Sequence, residues 1–374
     1  IGVLSSLFTA VLLGKLMIDW WTQSKGRSLS FWTPPTKNMF ANMKIDWLGK
    51  RKIAYVISST IIILGLASIF TKGFDLGVDF RGGYSYVVEF ADDVSFDTDQ
   101  LRNQLTTTFE GASTVVKAVD SDNAFNIVTS YLIDSNDDKV ADAVMAKLHE
   151  GVIAVQGGDL SLERFESTNT IGDTHIVSSS KVGPTIADDI KTSSFYAGIF
   201  ALLAIFLYIF IRFNKWQYSM GAVAALFHDS LIVLSVFSIF HGILPFSLEI
   251  DQAFIAAILT VIAYSINDTV VVFDRIREYL RIYNDKSTDE VLNLAVNSTF
   301  SRTVITSFTT LIVVLMLLIF SGGSIKGFAF ALLIGILVGT YSSIFVATPI
   351  VRDLSDELKS SQSSSKKHFS KALN

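Results

Sequence analysis

Long uncharged apolar stretches constrain this chain more than any other feature. A helix must supply about 20 apolar residues to cross a hydrocarbon core of about 30 Å. Six stretches meet that demand, near Ile53–Phe70, Ser193–Ile211, Tyr218–Phe240, Gln252–Phe273, Thr303–Phe320 and Gly327–Ile350. A partial seventh occupies Ile1–Ile18. Hydrophobic residues make up 50% of the chain and charged residues 17%, the latter gathered mainly between the stretches. The pattern predicts a polytopic α-helical membrane protein with one soluble insert, Thr71–Thr192. With no cysteine, disulfides, thiolate metal sites and cysteine nucleophiles are excluded. The chain opens inside an apolar run without Met or a charged leader, so it reads as a fragment lacking its N-terminal part.

Basic residues set the orientation. Lys15–Lys52 holds eight Lys and Arg, Asp274–Arg302 five, the tail after Ile350 five, and Arg212–Gln217 two. On the opposite side, His241–Asp251 holds none and Ser321–Lys326 one. The basic loops and the C-terminus are therefore expected in the cytoplasm and the insert outside. Residues 19–52 mix bases with Trp20, Trp21, Phe31, Trp32, Phe40 and Trp47, as suits a linker in the headgroup interface. The tail, 351–374, is Ser- and Lys-rich and reads as disordered. Within the insert, "GYSYVVEF", "STVVKAV" and "AFNIVTSYLI" read as strands. "DTDQLRNQLTTTFEG" and "NDDKVADAVMAKLHEG" read as helices stopped by Gly111 and Gly151. "DLSLERFEST" and "THIVSSSKVG" supply the last strands. The order β-α-β-β-α-β predicts a ferredoxin-like extracytoplasmic domain. The insert holds no phosphate loop, metal-spaced cluster or Ser-His-Asp pattern, which argues against an enzyme.

Ionisable groups inside the spans carry the functional signal, because a charge there costs at least ~2.5–3.5 kcal/mol on insertion scales. In "AYSINDTVVVFDRIREYL", Tyr264, Asn267 and Asp268 share a helix face, with Asp268 about 7.5 Å from the cytoplasmic end at Phe273. The next span carries a polar stripe, Ser298, Arg302, Thr306, Thr309 and Thr310. Arg302 is expected at a depth similar to Asp268 and able to pair with it. A static ion pair and a proton or ion relay both fit, and a span end placed elsewhere would instead leave Arg302 in water. His228 and Asp229 lie mid-span, either as a structural hydrogen-bonded pair or as support for the same pathway; a metal site lacks further ligands. Asp274, Arg275, Arg277 and Glu278 read as interfacial charges, Gly335 and Gly339 as a close-packing GxxxG. The sequon at Asn297 falls on the cytoplasmic side and is set aside.

These residues resemble a known family. "YSINDTVVVFDRIRE" resembles the signature of the SecF subunits of bacterial protein export, within the SecD/SecF family. "FDLGVDFRGGYSYVVEF" resembles the family's GG element, with Asp79, Gly82 and Gly83 as its structural core. Arg81 matches the SecD version of that element, where many SecF sequences carry a smaller residue. "ALFHDSLI" and "VGPTIADDIKTSSFYAGIFALLAIFLYIFIRF" resemble the family's His-Asp element and span entry. "IGVLSSLFTAVLLGKLMI" resembles the end of the last SecD span, which implies the second half of a SecDF fusion. The likeness covers about Lys44–Leu354.

The resemblance implies half of a transporter similar to the resistance-nodulation-division superfamily, in the bacterial inner membrane. It implies a SecD half, fused or separate, the SecYEG translocon, an unfolded preprotein, YajC and YidC, and membrane lipid as partners, with no nucleic acid. The motive force of H⁺ or Na⁺ would drive it with no cofactor. The family's intramembrane Asp and Arg map onto Asp268 and Arg302, with Asn267 beside them and His228, Asp229, Tyr264 and Thr306 in support. Its other intramembrane Asp, in the SecD half, is absent from this chain, so the chain alone is not expected to move protons. Two other classes stay open: a small-molecule or lipid exporter of the same superfamily, and a structural subunit for translocon assembly.

Overall fold

The computed structural model describes residues 8–25, 40, 43–91, 94, 98–119, 123–135, 139–167, 172–244, 246–321 and 323–354. The chain divides into two units, Ile1–Lys44 and Ile45–Asn374. In the first, a π-helical stretch, Phe8–Leu13, runs into helix α1, Gly14–Lys25. Residues 26–39 and 41–42 of the linker expected to lie in the interface, and the C-terminal tail from 355, fall outside the described residues.

The second unit begins its first long helix, α2, at Arg51 and carries it to Lys72, where Gly73 ends it with a positive φ of 76°. One helical turn, Val78–Arg81, and Gly82–Gly83 follow. Gly83 has φ 135°, and a Cβ there would lie 2.8 Å from the Thr129 carbonyl oxygen, so only glycine fits. The soluble domain then runs β1 (Gly83–Glu89), α3 (Thr98–Thr108), β2 (Thr114–Ala118), β3 (Ala124–Thr129), α4 (Val140–Gln156) and β4 (His175–Val182). The sheet order is β2-β3-β1-β4 with every neighbour antiparallel, the ferredoxin-like arrangement read from the sequence. Leu101, Leu105 and Phe109 face one side of the sheet together with Val140, Val144, Leu148 and Val152. Each such side chain removed from water contributes ~1.5–3 kcal/mol, which seats α3 and α4 on Tyr84, Tyr86 and Val88 of β1.

Two details of the insert differ from expectation. "DLSLERFEST" forms a helical turn, Leu162–Glu166, because Ser161 caps it and Phe165 buries itself in the core. Gly151 does not stop α4, which runs on to Gly157. A Cβ at Gly151 would meet Leu105 Cδ2 at 2.6 Å, so this glycine serves the close approach of α3 and α4.

The remaining helices are α5 (Pro184–Phe213), α6 (Trp216–Phe240), α7 (Gln252–Ile282), α8 (Thr288–Phe320) and α9 (Gly323–Ser342). α9 continues through a π-helical turn, Ser343–Ala347, to Asp353. Six described helices are long and apolar enough to cross a membrane, in the places the hydropathy predicts. Three are longer than their apolar cores. α5 starts at Pro184, well placed at a helix start. α7 continues past Phe273 because Asp274–Arg277 and Arg275–Glu278 pair along its surface at 3.2 and 2.8 Å. α8 starts at Thr288 because Ser287 and Glu290 form a reciprocal capping box.

The soluble domain is fastened to the bundle by Lys117 of β2. Its ammonium reaches Asp75, after α2, and Glu249, before α7, the latter at 2.9 Å. Ser247 and Asn126 also donate to Glu249, and His241 lies 3.5 Å from Asp75. Main-chain bonds join the same loops, Ile250 N–H to Asp75 and Gly77 N–H to Ile250. Asp79 accepts the Gln252 N–H at the start of α7, and Phe80 packs with Phe237, Ile250 and Phe254. The GG element is thus the joint between sheet and bundle.

Candidate functional site

α7 sits in the middle of the bundle, packed on α6, α8 and α9. The small residues of α9 allow this: a Cβ at Gly335 would lie 2.0 Å from Val261 Cγ2, and one at Gly339 3.0 Å from Ser265 Cβ. The GxxxG therefore does the close packing expected of it. Two carboxylates lie along this seam, in different surroundings.

Asp229 is fully buried and fully partnered. Its Oδ2 accepts from Ser265 at 2.6 Å and Ser342 at 2.8 Å, and its Oδ1 lies 3.0 Å from His228 Nδ1. His228 Nε2 lies 2.8 Å from Ser58 Oγ, and Ser58 is 3.1 Å from the Tyr341 hydroxyl, which donates to the Ala54 carbonyl. One polar network so ties α2, α6, α7 and α9 together. A carboxylate with this many short bonds repays its desolvation by holding four helices in register.

Asp268 is only 5% exposed and has one long contact, Ser307 Oγ at 3.5 Å from its Oδ2. That contact is also contested. Ser307 lies 2.6 Å from Thr340 Oγ1, and Thr340 can donate to the Ile336 carbonyl. Tyr264 donates toward Ser307 at 3.5 Å. Ser307 Oγ is the donor toward Asp268 Oδ2 at that long distance, while either hydroxyl can donate in the Ser307–Thr340 bond. Among the described residues Asp268 is thus left with a single long bond, from a hydroxyl that also serves Thr340.

The ion pair expected between Asp268 and Arg302 is not made among the described residues. α7 and α8 run antiparallel with Asp268 opposite Ser307, and Arg302 lies five residues, about 7.5 Å of rise, nearer the start of α8. It also points about 140° away round α8 from Ser307. Thr303 and Ser307 face inward, while Arg302 and Thr309 are exposed and Thr306 is half-buried, bonded to its own helix. Asn267 is exposed as well, on the flank of α7 that carries Ala256, Thr260 and Ala263. Of the polar stripe on α8, Ser298, Arg302 and Thr309 are exposed on this chain, and Thr306 and Thr310 are half-buried.

Sequence reasoning missed three groups. Ser307 and Thr340 gave no signal apart from being hydroxyls in apolar runs. Asn297, set aside as a sequon, and Asn293 bind the segment that leads into α2. Asn297 and Asn293 are spaced i, i+4 on one helix face, a pattern that could have marked them.

Residues 163–357 match the family described as protein export membrane protein SecD/SecF, C-terminal, and residues 67–94 match the SecD/SecF GG motif. The chain is 44% identical over 316 residues to the protein translocase subunit SecF of Rhodothermus marinus, covering 84% of this chain and 95% of that one. It is 35% identical to SecF of Haemophilus influenzae over 311 residues, covering 83% and 86%. The fold matches the crystal structure of SecDF, a translocon-associated membrane protein from Thermus thermophilus, with TM-score 0.75 and 27% identity over 95% of this chain. A SecDF structure in a super-membrane-facing form matches with TM-score 0.64 and 27% identity over 97% of this chain. The chain spans 44% and 45% of those two SecDF chains.

Proposed function

Since this chain belongs to the SecD/SecF family of protein export membrane proteins, on its SecF side, we propose that it forms half of a motive-force-driven factor at the Sec translocon. It is a multi-pass membrane protein, and its place in this reading is the bacterial inner membrane, with the α/β domain outside and the C-terminus in the cytoplasm. The SecD half, fused or separate, is its first partner, SecYEG its second, and the unfolded preprotein its substrate.

One observation carries the reading: a nearly buried carboxylate, Asp268, held among the described residues by a single long hydroxyl bond, from Ser307 at 3.5 Å. Ionised groups inside a membrane are costly and are retained where ions pass. The exposed Asn267, Ser298, Arg302 and Thr309 support it, since polar groups on membrane helices turn from lipid toward protein or water. A second half covering that surface would bring its own groups against Arg302. Proton arrival at Asp268 neutralises it, and departure leaves a charge that draws Arg302 inward. Making or breaking such a pair in low dielectric is worth several kcal/mol, enough to repack helices between halves. The coupling ion in this reading is H⁺ or Na⁺.

The test uses cells depleted of their own SecD and SecF, expressing the full-length protein as wild type or Asp268→Asn at equal membrane levels. Maturation of a secretory precursor is followed. Rescue by wild type alone supports the relay. Rescue by both makes Asp268 structural and the protein an assembly subunit. Rescue by neither removes the export reading in that host.

A further inference from the structure

The chain approaching α2 is held by main-chain recognition on α8. Asn297 Oδ1 accepts the Ile45 N–H at 3.2 Å and the Trp47 indole N–H at 3.0 Å. Its Nδ2 donates to the Ile45 and Asn293 carbonyls, both at 2.9 Å. Asn293 Oδ1 accepts the Trp47 and Leu48 N–H groups at 2.9 and 3.2 Å, and its Nδ2 donates to Asp46 at 2.9 Å. All four valences of the Asn297 amide and three of Asn293 are used. Trp47 is 8% exposed, stacked on Phe300 of α8 at 4.9 Å and edge-on to Phe345 of the π-turn at 5.5 Å. A loop merely lying on a helix needs none of this, and asparagine is a poor interior helix residue.

The placement on α8 matters more than the strength. Phe300 and Ser307 are seven residues apart, two turns, and share a face. Arg302 stands about 160° from Phe300. Fixing Phe300 against Trp47 and Ser307 against Asp268 therefore sets the rotation of α8 at two heights. The strap enters α2 at Arg51, so a displacement of the strap bears on α2 and α8 together.

We propose that Trp47, Asn293 and Asn297 are positioning residues: the strap they form sets the rotation of α8 and holds Arg302 turned out of the bundle. The inference rests on the reading of Arg302 as part of the relay. Movement of the preceding half, delivered through the strap, would then turn Arg302 toward or away from Asp268.

The experiment uses the full-length protein in membranes, with single cysteines at Thr309, on the Arg302 side, or Thr303, on the inward side and 2% exposed. The ratio of their alkylation rates by N-ethylmaleimide reports the rotation of α8. Asn293→Ala/Asn297→Ala is expected to narrow that ratio at least fivefold and to slow precursor maturation with the protein still inserted. Trp47→Phe, which keeps the ring and loses the indole donor, is expected to fall between. If the double variant does not accumulate, Trp47→Phe alone decides by the same ratio. An unchanged ratio overturns the inference, even where maturation slows. A changed ratio alongside an Asp268→Asn protein that exports normally leaves the positioning intact and removes the relay.

Discussion

Replacing Lys117 by Met tests how the soluble domain is held to the bundle. The methionine keeps the aliphatic stem and deletes the charge between Asp75 and Glu249. Asp75 is then left with His241 at 3.5 Å, and Glu249 with Ser247 at 3.1 Å and Asn126 at 3.3 Å. Removing one partner of a buried ion pair costs ~3–5 kcal/mol, because the other charge stays desolvated. The Lys117 side chain keeps 18% exposure and Glu249 14%, so the lower end applies, about 3 kcal/mol. At 1.36 kcal/mol per decade this is about 150-fold in a local opening equilibrium. Hydrogen exchange of the β2 amides, Thr114–Ala118, reads that equilibrium directly. Protection there should fall about 100-fold, while α4, on the other face of the sheet, changes little. Glu249→Gln in the Lys117→Met background removes one stranded charge and should recover part of the loss. A fall below about threefold, or additive effects with less than about 0.5 kcal/mol of coupling, would refute a buried latch.

Two other outcomes follow from the packing and the charges. Gly335→Ala should lower the thermal stability of the detergent-solubilised protein by an equivalent of ~1–3 kcal/mol, since its Cβ would collide with Val261, and Val261→Ala should restore it. Gly339→Ala, meeting Ser265 at 3.0 Å, should cost less; equal losses would mean the seam is not close-packed. Burial pushes the Asp251 carboxyl above its ordinary range, with Asp79 and Glu249 adding to the rise and the Phe254 N–H opposing it. Its folded form therefore takes up a proton at a pH where the unfolded chain does not. That contribution becomes more favourable as pH falls through the folded value and levels off below the unfolded value of about 4. Asp251→Asn keeps a capping oxygen and should flatten this part of the stability profile measured between pH 7 and pH 4. An unchanged profile would show that another group titrates.

The spans, the βαββαβ domain and Asp268 were legible in the sequence because each rests on a local rule. Apolar length dictates membrane helices, since no water satisfies a backbone in lipid. Alternation and i, i+4 spacing dictate the sheet and its two helices, and a carboxylate in an apolar run is costly wherever it folds. Direction and partnership were not local. Arg302 lies on the outer side of α8 because Thr303 and Ser307 turn the opposite side of that helix into the bundle, and that packing does not exist before the chain is folded. Asn297 counted as a sequon until Ile45 and Trp47, some 250 residues away, were brought against it. Asp229 and Asp268 look alike in the sequence. Among the described residues one carboxylate gathers His228, Ser265 and Ser342 and the other has a single long bond from Ser307, because α9 delivers Ser342 to the first while its Thr340 shares the hydroxyl nearest the second. Composition and periodicity settle what must be buried; which buried charge is satisfied depends on the few hydroxyls that other helices carry to it.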